Sequence, residues 1–300
     1  MLVGVKSRAR RPRVAEIYIS TGAFKTGDLA AILACCAEQG IHQLELGSGL
    51  PYADNHLALV RQYHQRPMRY LIHNYFPPSR RPFVLNLASI DPETLSRSRD
   101  HCRRALDLAA ELEIPFYSVH AGSAMHARPE ELGRPLTHRA HPDIQRAYGL
   151  FVESLAMLCA YAGARGVRLL VENHVVAPFN LVEGRNTFLF ATTAEQVLTL
   201  MRDVSSPHLG LLVDVGHVNV TAHSLGFDRA AFIEQVAPHI EAFHLSANDG
   251  LVDQNIAFTS EAWFLDCLRD FPEATITIES YQLDLDEIRA CREAVLECLA

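Results

Sequence analysis

The sequence predicts a (β/α)8 barrel, and three observations predict it. Eight short β-rich runs alternate with eight longer amphipathic runs from end to end of the 300 residues. The long connections follow the β-rich runs rather than the helical ones, which in a barrel puts them all on one face. Six of the strand-like runs end in a residue type that can ligate a metal or move a proton.

The first strand is expected at 16–20 (EIYIS), and the first helix over 28–39 (DLAAILACCAEQ), with Gly40 placed to stop it. Strands follow near 42–46, 69–73, 115–120, 167–172, 209–214, 240–245 and 274–279. Helices are expected near 54–65, 92–112, 143–165, 193–202, 228–237, 260–269 and 284–298. Asp91-Pro92-Glu93-Thr94 reads as an N-cap followed by proline at the first helical position, and Gly166 marks another helix end. A doubly wound open sheet shares the alternation but more often carries a glycine-rich phosphate turn after its first strand, and Ser20-Thr21-Gly22-Ala23 is not one. The long connections are 121–142, 174–192 and 246–259. The first carries His126, His138 and His141 beside Arg128, Arg134 and Arg139, and is either a lid over a site or a plain surface excursion.

A hydrophobic content of 49% supports a large core, and the chain reads as one barrel domain over 14–300 behind a basic tail at 1–13. That tail holds Lys6, Arg8, Arg10, Arg11 and Arg13, the only dense basic run. The formal charge of -8 disfavours a partner gripped through many phosphates, so nucleic acid is not expected. No secretory h-region and no stretch of ~20 apolar residues is present, which points to a cytoplasmic protein without a membrane partner. Seven cysteines (Cys35, Cys36, Cys102, Cys159, Cys267, Cys291, Cys298) show no C-x-x-C pair and read as free thiols. Phe- and Leu-rich helix faces would permit a homodimer.

The functional signal lies at the strand ends. LLVENH places Glu172, LLVDVGH places Asp214, AFHLS places His244 and ITIES places Glu279 at the carboxyl ends of four successive strands. RYLIHN ends in His73 and PFYSVHAGS in His120. One such residue would be a capping or surface group; the recurrence builds one site.

Three carboxylates and one imidazole form an oxygen-rich set suited to Mn²⁺, Co²⁺ or Mg²⁺, with Zn²⁺ also accommodated. Such an ion could hold a sugar-like hydroxy-carbonyl and stabilise the enediolate formed by deprotonation. Glu172 and Glu279, approaching from strands five and eight, would serve as the proton-transferring pair. His217, three residues after Asp214 in Asp-Val-Gly-His, should reach the same cavity, with Gly216 allowing a sharp bend out of the strand.

At these residues the sequence resembles the xylose isomerase-like TIM-barrel superfamily, which includes endonuclease IV and related sugar isomerases and epimerases. The resemblance spans roughly 15–298 and rests on His73-Asn74-Tyr75-Phe76, Val84-Leu85-Asn86-Leu87-Ala88-Ser89, Val119-His120-Ala121-Gly122-Ser123, Val171-Glu172-Asn173, Asp214-Val215-Gly216-His217, His244 to Gly250, and Ile278-Glu279-Ser280. It implies that Glu172, Asp214, His244 and Glu279 hold a central ion, and that His73 and His120 with Glu172 could hold a second. In the endonuclease branch a third ion would use His217, Asp253 and a histidine two residues on, where this chain has Asn255. The site residues expected around substrate are therefore His217, Asn173, Asp253 and Asn255.

The leading expectation is a divalent-metal-dependent isomerase or epimerase of a sugar, keto-sugar or sugar-phosphate-like molecule. The alternatives are a zinc phosphodiesterase acting on abasic DNA, or a metal-dependent lyase or dehydratase on the same scaffold.

Overall fold

The β-rich runs become eight short parallel strands, buried along nearly their whole length because helices cover them outside and side chains fill the space inside. They are β1 (Ile17–Ser20), β2 (Gln43–Leu46), β3 (Arg69–His73), β4 (Phe116–His120), β5 (Arg168–Glu172), β6 (Leu209–Asp214), β7 (Ile240–Leu245) and β8 (Thr275–Ile278). A computed structural model describes residues 16–47, 49–125, 127–131, 134 and 143–300. The strands close in chain order, with β8 pairing back to β1. All eight expected strands are present, so the barrel is the observed fold.

Register does what the site needs. His120 of β4 pairs with Glu172 of β5, and Asp214 of β6 pairs with His244 of β7. Neighbours in a parallel ladder point the same way, so the last residues of adjacent strands present their side chains together.

The helices are α1 (Leu29–Gln39), α2 (His56–His64), α3 (Pro92–Glu111), α4 (Ile144–Gly163), α5 (Ala194–Val204), α6 (Val215–Leu225), α7 (Arg229–Val236), α8 (Leu265–Leu268) and α9 (Leu285–Leu299). Aspartates start most of them: Asp28, Asp91, Asp143, Asp214, Asp228 and Asp284 each accept a backbone N–H of the first turn. Gly40 closes α1 in the left-handed region, as its position predicts.

Two departures from the sequence reading matter, and part of that reading lies outside the described residues. The expected helix at 260–269 shrinks to the single turn of α8. The basic tail, and His126, His138, Arg139 and His141 of the 121–142 connection, lie outside the described residues. Most important, α6 follows β6 without a loop. Gly216 is not a bend but sits in the first turn of α6, where an added Cβ would come 2.7 Å from Ser246 Oγ and 3.1 Å from both Asn248 Nδ2 and Asp214 Oδ1. Glycine is required by close packing against the segment after β7, not by backbone conformation.

Among the described residues no helix is long and apolar enough to cross a membrane. The cysteines are free, and Cys36, Cys102, Cys159 and Cys291 are buried as small apolar fillers.

Behind β3, His101 of α3 is 1% exposed and its Nε2 lies 2.9 Å from the carbonyl of Asn74, which also accepts from Tyr117 Oη at 2.8 Å. These two bonds anchor the chain just after His73. Burial brings the His101 imidazole down to about 4, against ~6.5 for a free side chain. A folded-state value below the unfolded one makes this contribution complete above about pH 6.5 and lost as the pH falls toward 4. Urea unfolding across that range should show His101→Gln flattening the stability profile by up to one bound proton, a share on the order of 3 kcal/mol. Gly216→Ala should lower unfolding free energy by about 1 kcal/mol, overpacking outweighing the helix-propensity gain.

Candidate active site

The open ends of the strands converge on one cluster. Glu172, Asp214, His244 and Glu279 each offer a ligand atom, and these atoms all lie within 4.8 Å of one another. His73, His120 and Glu172 form a second such group, and His73, His244 and Glu279 a third. Glu172, 1% exposed, is common to the first two.

The local contacts explain the arrangement. His73 Nδ1 lies 3.0 Å from Ser118 Oγ, which turns Nε2 toward Glu172 Oε2 at 3.4 Å. His120 Nε2 is 3.1 Å from the same oxygen. Asp214 accepts the His217 backbone N–H at 2.8 Å, so one side chain both caps α6 and faces the cluster. Tyr281 Oη donates to Glu279 Oε1 at 3.0 Å.

His217 is placed from two sides. Its Nδ1 donates to the Asn173 carbonyl at 2.8 Å, and its Nε2 lies 3.3 Å from Asp253 Oδ2. Asn173, expected at substrate, uses both ends of its amide on Asp214: Nδ2 donates to Asp214 O at 3.2 Å and Oδ1 accepts Asp214 N–H at 2.8 Å. It is a clamp between β5 and β6 whose flank lines the cavity. Asn255 donates to Asp253 Oδ2 at 3.0 Å and its carbonyl accepts the Tyr281 N–H at 2.7 Å, but it does not line the cavity, so it reaches the site through these neighbours.

Electrostatics identify what the cluster lacks. Burial pushes the Glu172 carboxyl well above the usual range, and raises Asp214 to about 6. Burial also opposes charge on Glu279, but His244 beside it outweighs that and holds the carboxyl well below its ordinary value. Burial disfavours charge on His217, yet Asp214, Asp253 and Glu172 together raise its imidazole well above normal. His73 is driven the other way by burial and by its neighbours His244 and His120. The His120 side chain is 41% accessible from the cavity, so the burial that lowers its imidazole acts less fully than on His73.

Both oxygens of Glu172, Asp214 Oδ2 and His73 Nε2 are buried without hydrogen-bond partners. His244 Nδ1 comes 2.6 Å from Glu279 Oε2. Among the described residues Glu172 and Asp214 face histidines and no lysine or arginine. Buried carboxylates with unused lone pairs are costly, and a cation is the species that would satisfy them. The donor set fits a divalent ion.

A cavity of about 340 Å³ opens beside His120 and His217. Asp253, Tyr75, Leu85, Phe179 and Leu189 are among its walls. The connection between β3 and α3 contributes Tyr75 and Val84 to Asn86, a stretch not expected among the loops that shape the pocket. Arg134 borders the cavity, whereas Arg128 and Arg185 do not.

Sequence reasoning also missed Glu45. It lies inside β2, 1% exposed, with Oε2 3.0 Å from His244 Nε2 and 3.1 Å from Thr277 Oγ1. Its signal was a carboxylate within the apolar run Leu44-Glu45-Leu46.

Comparison with known proteins agrees with this architecture. A D-tagatose 3-epimerase-like protein superposes with a TM-score of 0.70 at 18% identity, covering 95% of this chain and 100% of the other. An L-ribulose 3-epimerase gives 0.68 at 18% identity, covering 95% and 94%. A protein from Thermus thermophilus soaked with zinc chloride gives 0.62 at 21% identity, covering 94% and 98%. At such identities the likeness is one of fold. No curated protein matches the chain significantly in sequence. Residues 33–278 carry the sequence pattern of one family, and the chain belongs to it: the xylose isomerase-like TIM barrels.

Proposed function

We propose that this protein is a divalent-metal-dependent isomerase or epimerase of a sugar, keto-sugar or sugar-phosphate-like small molecule. The observation that carries the reading is the buried Glu172, Asp214, His244 and Glu279 cluster, with unpartnered oxygens, beside a cavity of a size suited to a small molecule. Structural likeness to proteins described as D-tagatose 3-epimerase-like and as an L-ribulose 3-epimerase supports a carbohydrate substrate.

Glu172, Asp214, His244 and Glu279 would hold the ion, which is Mn²⁺, Co²⁺, Mg²⁺ or Zn²⁺. When bound, it supplies a Lewis acid for a carbonyl and the hydroxyl beside it. Glu172 ends β5 and Glu279 follows β8, so the two would approach the substrate from different strands. One takes the proton from the carbon next to the carbonyl, and the other, or the same one, returns it at a neighbouring carbon or the opposite face. His217, held by Asn173 and Asp253 and bordering the cavity, orients a substrate oxygen.

Glu172→Gln and Glu279→Gln variants that keep their metal should lose solvent-deuterium incorporation into substrate by about 10²–10⁴-fold. Full exchange in both, read by mass spectrometry, removes the two-glutamate mechanism.

The group of His73, His120 and Glu172 supports a second ion, and with it a second reading, a zinc phosphodiesterase acting on abasic DNA. Two features weigh against it: the amide of Asn255 stands where that branch would need an imidazole beside His217 and Asp253, and the chain is acidic. An abasic duplex should remain uncut by zinc-loaded protein. Chelator-sensitive cleavage that weakens steeply with salt would reverse the order of the two readings.

A further inference from the structure

Glu45 lies deep in the barrel, yet it reaches across to the far strands. Sequence separations of 199 and 232 residues divide it from His244 and Thr277, and a single oxygen, Oε2, serves both. Its other oxygen, Oε1, is buried without a partner. A carboxylate that only braced β2 against β7 and β8 would be poorly chosen, because a buried acid with an unused oxygen is commonly no more stabilising than an apolar side chain of the same shape.

The ring it touches explains it. His244 is fully buried and has two nitrogens with different surroundings. Nε2 faces Glu45, and Nδ1 faces Glu279 at 2.6 Å and Glu172 at 3.7 Å. A carboxylate accepts and does not donate, so the proton of this contact sits on Nε2. Nδ1, turned toward Glu279 and Glu172 on the other side of the ring, is then the nitrogen that would ligate a cation held in the cluster.

We propose that Glu45 is the positioning residue for His244: it fixes the ring's tautomer and orientation so that Nδ1 is presented to the space shared with Glu172, Asp214 and Glu279. Thr277, donating to the same oxygen, sets the direction of the Glu45 carboxylate. The inference rests on the reading of that cluster as a cation site. Carboxylates placed behind ligating histidines raise ligand basicity and commonly change metal affinity by about 10–100-fold.

Glu45→Gln keeps an acceptor without the charge, and Glu45→Leu removes both. The Nε2–H resonance of His244 should be a protected low-field proton in wild type, should move upfield in the glutamine variant and should lose its protection in the leucine variant. Affinity for Mn²⁺, measured by competition with a chromophoric chelator, should fall about tenfold in Glu45→Gln and further in Glu45→Leu. Wild-type Mn²⁺ affinity in a folded Glu45→Gln protein overturns the proposal, as does an unchanged His244 proton in either variant. If the wild type binds no divalent ion, the cation-site reading fails by itself, and the proton resonance still decides whether Glu45 sets the ring.

Discussion

Three carboxylates buried together at the mouth of an apolar barrel are the constraint on which the structure turns. Each would be stable in water, and each loses most of that solvation at Glu172, Asp214 and Glu279, which are 1%, 1% and 4% exposed. Histidines around them offset part of the cost, and they do so unevenly: Glu279 is held ionised by His244 while Glu172 is pushed toward its neutral form. A set of groups driven apart in this way is poised either to bind a cation or to exchange protons, and the proposed chemistry uses both.

The scaffold makes this arrangement tolerable. Parallel register puts His120 beside Glu172 and Asp214 beside His244, so the positions of the side chains are inherited from the sheet rather than from mobile loops. A second layer then fixes their directions: Ser118 behind His73, Asn173 behind Asp214 and His217, Glu45 behind His244. Cavity shape comes instead from the connections after β3, β4, β5 and β7, which is where specificity for one substrate over another would reside.

Much of this was legible in the sequence, because a short buried strand ending in a histidine or carboxylate leaves a compact local signature and the signature repeats. His73, His120, Glu172, Asp214, His244 and Glu279 all come together as their strand ends implied. What was not legible depends on contacts between distant segments. Helix α6 is rich in β-branched and polar residues (Val218, Val220, Thr221), so its propensity is weak, and its cap is a residue already accounted for as a ligand. Gly216 looks like a hinge until Ser246 and Asn248 are packed against it. Glu45 and Asn173 act on partners 199 and 41 residues away, and although a carboxylate between Leu44 and Leu46 marks Glu45 as unusual, neither local sequence says which partner is met.

The most direct test is metal content per chain, by elemental analysis, of protein purified without chelator and without a metal-binding tag, beside a folded Asp214→Ala variant. At least one divalent ion in the wild type, lost in the variant, is the expected result. Wild-type protein that carries no ion, and whose thermal stability does not rise when Mn²⁺, Co²⁺, Mg²⁺ or Zn²⁺ is added, would contradict the account at its centre.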